Sequence, residues 1–131
     1  MVYLLDANAL IALTVAEHEH HSRVTAWVST VDRVALCSVV EGALIRFLVQ
    51  MGESPAAAIG VLRRMHADER CEFWPDAPSY LDVDMSDVRG HRQVTDAYLA
   101  GLAAEHDQSR LATLDRSLAD ARPDQAVLVP V

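Results

Sequence analysis

Short apolar runs alternate with amphipathic segments along nearly the whole chain, and this alternation constrains the fold more than any other feature. Apolar runs predict strands, and apolar positions at helical spacing between them predict helices. The predicted strands are 2–5, 34–37, 71–74, 110–114 and 126–129. The predicted helices are 7–16, 38–48, 55–68, 92–105 and 116–121. A further helix, after the first, is predicted from the helical spacing of Val24, Trp27, Val28 and Val31. Largely apolar strands separated by helices form parallel sheets covered on both faces. We therefore predict one doubly wound α/β domain over residues 1–131.

Four carboxylates stand where predicted strands end or predicted helices begin. Asp6 and Asp115 each follow an apolar strand and precede a helix, whereas Glu41 and Asp96 fall in the first turns of two other helices. Ligands of parallel α/β sheets bind outside the carboxyl ends of the strands, so this topology predicts one acidic pocket. Carboxylates brought together repel one another unless a cation compensates them, and Mg²⁺ or Mn²⁺ prefers oxygen ligands of this kind.

Each acid also has a purely structural explanation. Asp6 and Asp115 are suitable helix N-caps, and Ser38 with Glu41 fits a capping box. Asp96 would stabilise a helix N-terminus through the helix dipole. Capping does not require the acids to converge at one edge of the sheet, so their convergence is the observation that distinguishes the two explanations.

Composition limits the chemistry and the partners. The net charge is −8, from 19 acidic and 11 basic residues, and every basic residue is an arginine. A P-loop needs its Gly-Lys pair, so the absence of lysine excludes one. An acidic chain disfavours nonspecific nucleic-acid binding and favours a basic protein partner. No apolar run is long enough for a membrane span and no signal-peptide pattern opens the chain, so we expect a cytoplasmic protein.

The remaining polar clusters indicate less. The histidines at 18, 20 and 21 lack a second ligand pair at zinc-site spacing and are interpreted as a solvated connector. The aspartates at 76, 82, 84 and 87 are interpreted as an exposed acidic loop. Cys37 and Cys71 lie in separate strands and are expected to be reduced core thiols. Trp27 and Trp74 are interpreted as core or interface residues.

Four sequence blocks together resemble the PIN-domain ribonucleases, and within them the VapC toxins of bacterial toxin–antitoxin pairs. The blocks are Leu5-Asp6-Ala7-Asn8, Ser38-Val39-Val40-Glu41 followed by Arg46-Phe47, Val94-Thr95-Asp96-Ala97-Tyr98-Leu99-Ala100, and Leu111-Ala112-Thr113-Leu114-Asp115. Their order and spacing cover nearly the whole chain. The resemblance implies a single PIN domain with a three-layer α/β/α fold around a five-stranded parallel sheet. The connector 107–109 departs from the pattern, because it lacks the glycine that the family often carries there.

The resemblance also implies a function, a Mg²⁺-dependent endoribonuclease that cuts transfer or ribosomal RNA. Asp6, Glu41, Asp96 and Asp115 match the family's acidic quartet, which binds the metal and carries the catalysis; Mn²⁺ is the alternative ion. Asp6 and Asp96 are the expected direct ligands. Asn8 and Thr113 are expected to orient the carboxylates from behind.

RNA and protein partners follow from the same resemblance. Arg46, Arg89, Arg92 and Arg116 lie close to the four blocks and are candidate contacts to RNA phosphates, with pairing to nearby acids as the alternative. Family toxins form homodimers and are held inactive by a cognate antitoxin. The early helices, with Trp27 and the Leu10–Leu13 stretch, are expected to offer a groove for an antitoxin helix, with core packing as the alternative.

Two other functions remain open. One is a catalytically silent PIN-like module that binds RNA or protein, against which the complete quartet argues. The other is a phosphoryl-transfer or receiver-type domain. The absence of lysine counts against a receiver, and Asn8 occupies the second position of what would be the Asp-x-Asp pair of haloacid-type phosphatases.

Overall fold

A computed structural model describes residues 1–131 as a five-stranded parallel sheet with helices on both faces. The strands are β1 (Val2–Leu5), β2 (Arg33–Cys37), β3 (Cys71–Trp74), β4 (Ser109–Thr113) and β5 (Ala126–Leu128), in the order β3-β2-β1-β4-β5. The helices are α1 (Ala7–Thr14), α2 (His21–Val28), α3 (Ser38–Gln50), α4 (Pro55–Ala67), α5 (Val94–Ala104) and α6 (Arg116–Ala121). The predicted three-layer α/β/α architecture is confirmed.

The central strand β1 lies between β2 and β4, and this arrangement determines where the acids fall. Leu5 is paired with Ala112 across the β1–β4 ladder. One residue later, the Asp6 N–H donates to the Ala112 carbonyl over 3.0 Å. The ends of these two strands are therefore tied together at the carboxyl edge of the sheet, where α1 and α6 begin.

The core explains why the strands are apolar throughout. Leu4, Leu5, Leu36 and Leu111 are fully buried because helices cover both faces of the sheet. Leu10 is fully buried as well, and its neighbours Ile11 and Ala12 join the same core. Trp74 is buried, and half-buried Trp27 packs edge-on against Tyr3 with ring centroids 5.0 Å apart. Cys37 is buried and Cys71 half-buried, and both are free thiols, as predicted.

Two predicted helices run longer than the structure allows. The helix predicted at 7–16 ends at Thr14, where the Thr14 hydroxyl donates to the Leu10 carbonyl and Val15 is extended. The second helix ends at Val28, because the Ser29 hydroxyl donates to a carbonyl of the last helical turn. Val31 therefore lies outside α2. Hydroxyl side chains that bond back to the backbone compete with helix continuation in this way.

The connector before β4 adopts the backbone conformation for which glycine is favoured. Gln108 has a φ of 52°, in the left-handed region. Its carbonyl accepts from the Val2 N–H over 3.0 Å, so the turn aligns β4 with β1. The departure from glycine noted in the sequence thus coincides with a residue that carries the strain of positive φ.

The long segment between β3 and α5 is tied to the end of the chain by one arginine. Buried Arg122 bonds to the Asp87 carboxylate, the Asp84 carbonyl and the Gln125 side chain. This segment contains two short 3₁₀ turns, Tyr80–Asp82 and His91–Gln93. The second of them replaces the first turn of the helix predicted at 92–105. None of the helices combines the length and the apolarity that crossing a membrane requires.

Candidate metal and catalytic site

Three of the four predicted acids meet at the carboxyl edge of the sheet. Asp6 follows β1 and caps α1, with its Oδ1 accepting from the Ala9 N–H over 2.8 Å. Asp115 follows β4 and caps α6, with its Oδ1 accepting from the Ser117 N–H over 2.9 Å. Asp96 lies in the first turn of α5. Both capping predictions are confirmed, and the helix N-termini favour the anionic forms of these side chains.

The pKa of Asp6 reflects its burial and the charges of the two neighbouring acids. Asp6 is only 5% exposed, and its pKa is raised to about 6, with burial as the largest cause. Hydrogen bonds from Thr113 and Ala9 partly oppose this rise, and the negative charges of Asp96 and Asp115 contribute smaller increments to it. Burial and the charge of Asp115 also raise the pKa of Asp96. The acids therefore destabilise one another's charged forms, which capping alone does not require.

Thr113 connects two of these acids. It is fully buried, and its hydroxyl oxygen accepts from the Asp115 N–H over 3.0 Å. A hydrogen bond with the same side chain lowers the pKa of Asp6. Asn8, by contrast, is exposed and makes no hydrogen bond to a carboxylate; it lines a cleft beside Asp115.

Glu41 is hydrogen-bonded to a histidine of the neighbouring helix α4. Its Oε2 accepts a 2.6 Å hydrogen bond from His66 Nε2 near the end of α4. The predicted capping box is wrong, because Cys37 occupies the cap position, Ser38 is already helical and the cap makes no side-chain bond. The charge of Glu41 helps to raise the pKa of the thiols of Cys37 and Cys71.

The donor set of the pocket fits a hard divalent cation. Asp6, Asp96 and Asp115 supply only carboxylate oxygens, the ligands that Mg²⁺ and Mn²⁺ prefer. A cation there would relieve the mutual repulsion that raises the pKa of Asp6. As the side chains stand, no three acidic, histidine or cysteine groups are close enough together to enclose an ion. Metal binding therefore requires side-chain movement or water in the coordination shell, which Mg²⁺ retains readily.

The candidate RNA-contacting arginines are available for an external ligand. Arg46, Arg89, Arg92 and Arg116 are exposed, and none forms an ion pair within the chain. The arginines that do pair with acids are Arg33, Arg70 and Arg122. Pairing with nearby acids, the alternative explanation for the four candidates, is therefore not realised.

The structure adds residues that the sequence did not indicate. A narrow cleft of about 50 Å³ brings Asp87, Gln93 and Arg122 beside Asp96 and Asp115. The sequence predicts that Asp87 lies in an exposed acidic loop, but the residue is half-buried. Its bond to Arg122 lowers its pKa. The other loop aspartates, Asp76, Asp82 and Asp84, are exposed as predicted. His66 lies 25 residues from Glu41 and Arg122 lies 35 residues from Asp87, so only the folded chain reveals these pairings.

The early helices do not offer the groove expected of them. Leu10 and its two following residues lie in the core, and Trp27 packs on Tyr3. The larger apolar groove, about 700 Å³, lies instead between the end of α1 and helices α3 and α4. It is lined by Thr14, Val15, Ala16, Glu17, Phe47, Leu48, Met51, Glu53, Ala57, Gly60, Val61 and Arg64.

Comparisons with known proteins agree with this architecture. The PIN domain model matches residues 3–122. Ribonuclease VapC29 of Mycobacterium tuberculosis is 53% identical over 131 residues, covering 99% of this chain and 98% of that protein. Among solved structures, the Mycobacterium tuberculosis toxin VapC20, described as cleaving the sarcin-ricin loop, superimposes with a TM-score of 0.69 at 15% identity, covering 92% and 95% of the two chains. VapBC2 of Rickettsia felis, bound to a promoter DNA fragment, gives 0.67 at 14% identity, covering 99% and 100%.

The raised pKa of Asp6 predicts that the folded state loses stability as pH rises, whereas a carboxylate with a lowered pKa costs stability as pH falls. The folded state holds the Asp6 proton up to about pH 6, whereas the unfolded chain loses it near its ordinary value of 3.8. Stability is therefore lost as pH rises through this window, by roughly 3 kcal/mol at most. The Asp6→Asn variant keeps a capping oxygen without the charge. In EDTA, we expect urea denaturation to find it more stable relative to wild type at pH 7 than at pH 4.

A matched substitution isolates this effect. Asp120 is exposed on α6, so Asp120→Asn should show no comparable change between the two pH values. If the difference in unfolding free energy between Asp6→Asn and wild type is the same at pH 4 and pH 7, burial does not raise the pKa of Asp6 as described.

Proposed function

This chain belongs to the PIN-domain family as a VapC-type ribonuclease toxin, and we propose that it cuts transfer or ribosomal RNA with a divalent cation held by its acidic pocket. The observation that supports this proposal most is that Asp6, Asp96 and Asp115 lie at one edge of the sheet, where burial first and their mutual repulsion second raise the pKa of Asp6. A structural capping role does not account for that repulsion, whereas a cation-binding role does.

In this proposal, Asp6 and Asp96 hold Mg²⁺ directly, and Mn²⁺ can replace it. Asp115 and Glu41 would complete the set of residues that hold the ion, and Glu41 would have to exchange its bond to His66 for this role. The chemistry that bound Mg²⁺ supplies is neutralisation of charge at the scissile phosphate and a lowered pKa for a water molecule. Thr113 keeps Asp6 and the Asp115 backbone in place, since it bonds to both.

The protein residues carry the proton transfer. Asp115 or Glu41 accepts a proton from the attacking water, whose oxygen forms a new bond to phosphorus. The bond from phosphorus to the 3′ oxygen breaks, and that oxygen takes up a proton. The products are a 5′-phosphate and a 3′-hydroxyl.

One observation favours the silent module as the second candidate. The 2.6 Å bond between Glu41 and His66 engages one acid of the quartet with a residue outside it. If Glu41 never leaves His66, the pocket has one acid fewer for the chemistry, and the protein binds RNA without cutting it.

Cleavage assays distinguish these two functions. Purified protein, free of antitoxin, should cut total bacterial RNA into discrete fragments in Mg²⁺ and not in EDTA. The Asp96→Asn variant should lose this activity by about 100-fold or more, because it removes one carboxylate of the pocket. Asp120→Asn, an exposed carboxylate outside the pocket, serves as the matched control.

The end groups of the fragments test the chemistry as well. The proposal predicts 5′-phosphates. RNA that stays intact with a folded protein that binds it would favour the silent module, and cleavage in EDTA or by Asp96→Asn at the wild-type rate would reject the metal mechanism.

Phosphate contacts are assigned to the exposed, unpaired arginines. Arg92 precedes α5, and Arg116 directly follows Asp115, so both stand beside pocket acids in the chain. Arg46 lies further along α3, after Glu41. Because the chain is acidic and has no lysine, these positive charges are the groups available to hold the RNA backbone near the acids.

Neutralising these arginines should weaken binding in a salt-dependent manner. We expect Arg92→Gln and Arg116→Gln each to lower RNA affinity and to reduce the slope of log affinity against log salt by about 0.7 for single-stranded RNA. Fluorescence anisotropy with the Asp96→Asn background measures both quantities without cleavage. Arg63→Gln, an exposed residue of α4, is the control, and an unchanged slope for Arg92 and Arg116 would remove them from the RNA path.

An antitoxin is the protein partner of VapC-type toxins, and we assign its docking helix to the groove between α1, α3 and α4. Met51 is 69% exposed at the groove and Phe47 is half-buried, so apolar surface is available. The groove lies at the ends of α1 and α3, whereas Asp6 and Glu41 lie at their beginnings. A homodimer in solution is part of the same proposal and is measured by light scattering.

Charge placed in the groove should release the antitoxin. We expect Val61→Glu to abolish copurification of the cognate antitoxin because a buried carboxylate opposes an apolar helix face. RNA cleavage by the freed toxin should persist, since the groove is remote from the acids. Val49→Glu, on the exposed face of α3 outside the groove, is the control. Retention of the antitoxin by Val61→Glu would reject the groove.

A further inference from the structure

A second cleft shares Asp115 with the narrow cleft that contains Asp96. Its volume is about 380 Å³, and it lies between Asp115 and the connector that joins α1 to α2. The lining residues are Asn8, His18, Glu19, His20, Leu114 and Asp115. We propose that this cleft binds one nucleobase of the RNA, adjacent to the phosphate that is cut. The proposal rests on the RNA-cleaving function argued above and names a subsite for it.

Asp115 lies at the junction of two clefts. It lines the narrow cleft shared with Asp96, and it also lines the wider cleft shared with Asn8 and His18. An RNA chain held at the acids must continue to one side or the other. The wider cleft is the side with room for a planar base and its ribose.

The His18 ring is oriented by the backbone of the connector. The backbone N–H of His20 donates to His18 Nδ1 over 3.0 Å, so the proton of neutral His18 is on Nε2. The ring centroids of His18 and His20 lie 5.8 Å apart at an angle of 43°. His21 Nδ1 lies 2.8 Å from the Ala12 carbonyl and anchors the same connector to α1. Such preorganisation reduces the entropy that binding must remove.

Charge and chemistry favour a base over a phosphate in this cleft. Its charged lining residues are the carboxylates of Glu19 and Asp115, and no arginine lines it. These carboxylates repel a phosphate, whereas imidazole rings stack on bases. The Asn8 amide and the His18 Nε2–H add hydrogen-bond donors, and the amide and carboxylate oxygens add acceptors for a base edge.

Histidine NMR signals test this contact independently of cleavage. The probe is a single-stranded RNA oligonucleotide of mixed sequence, titrated into ¹⁵N-histidine-labelled Asp96→Asn protein with Mg²⁺ present. The ring signals of His18 and His20 should move as the RNA binds, while His106, which is stacked on Trp74, should stay fixed. Signals of His18 and His20 that stay unmoved at millimolar RNA would overturn the proposal.

Kinetics in the cleaving protein separate this subsite from the catalytic acids. The double variant His18→Ala/His20→Ala should raise KM for the RNA by about tenfold, as expected when base stacking is lost, with kcat nearly unchanged. The double variant should also discriminate less between the four bases at the cut site. Ser22→Ala, an exposed residue just beyond the histidines, is the control.

The outcomes for the two proposals differ. Wild-type cleavage with an unchanged KM and base preference in the double variant would overturn the subsite and leave the nuclease intact. Absence of cleavage by wild type would overturn the nuclease, and the NMR titration would then still decide whether RNA occupies this cleft.

Discussion

Burial of the Asp6 carboxylate at the end of the central strand is the constraint on which the rest of the site depends. Its backbone N–H joins β1 to β4 through Ala112, and its side chain caps α1 through Ala9. The same burial raises its pKa to about 6. The residue therefore contributes a backbone bond and a cap to the fold while carrying an unfavourable charge, and the proposed cation would compensate that charge.

The surrounding structure brings distant segments to this edge. Thr113 bonds to the acids that follow β1 and β4, and Arg122 fastens the segment before α5 beside Asp96 and Asp115. Helix α4 reaches two functional regions, because its first half borders the apolar groove while His66 near its end bonds to Glu41. The proposed antitoxin groove and Glu41 are therefore connected by one helix.

The sequence was most informative where local pattern and topology act together. Apolar runs predicted the bounds of the strands to within one residue. The rule that ligands bind at the carboxyl ends of parallel strands correctly predicted Asp6 and Asp115 at one edge of the sheet. The bond between Glu41 and His66 could not be predicted in this way, because it arises only when α3 packs on α4. The groove predicted on the early helices is absent for a similar reason, since apolar periodicity does not show whether Leu10 faces the core or a partner.

The first measurement is calorimetric titration of Mn²⁺ into the metal-free protein at pH 6, in buffers of different ionisation enthalpy, because it shows whether a cation binds at Asp6. We expect binding with release of protons, since Asp6 is partly protonated at this pH and must lose its proton to bind a cation. Proton release should disappear in Asp6→Asn. Absence of binding, or binding with the same proton release in Asp6→Asn, would contradict a cation site built on this buried acid.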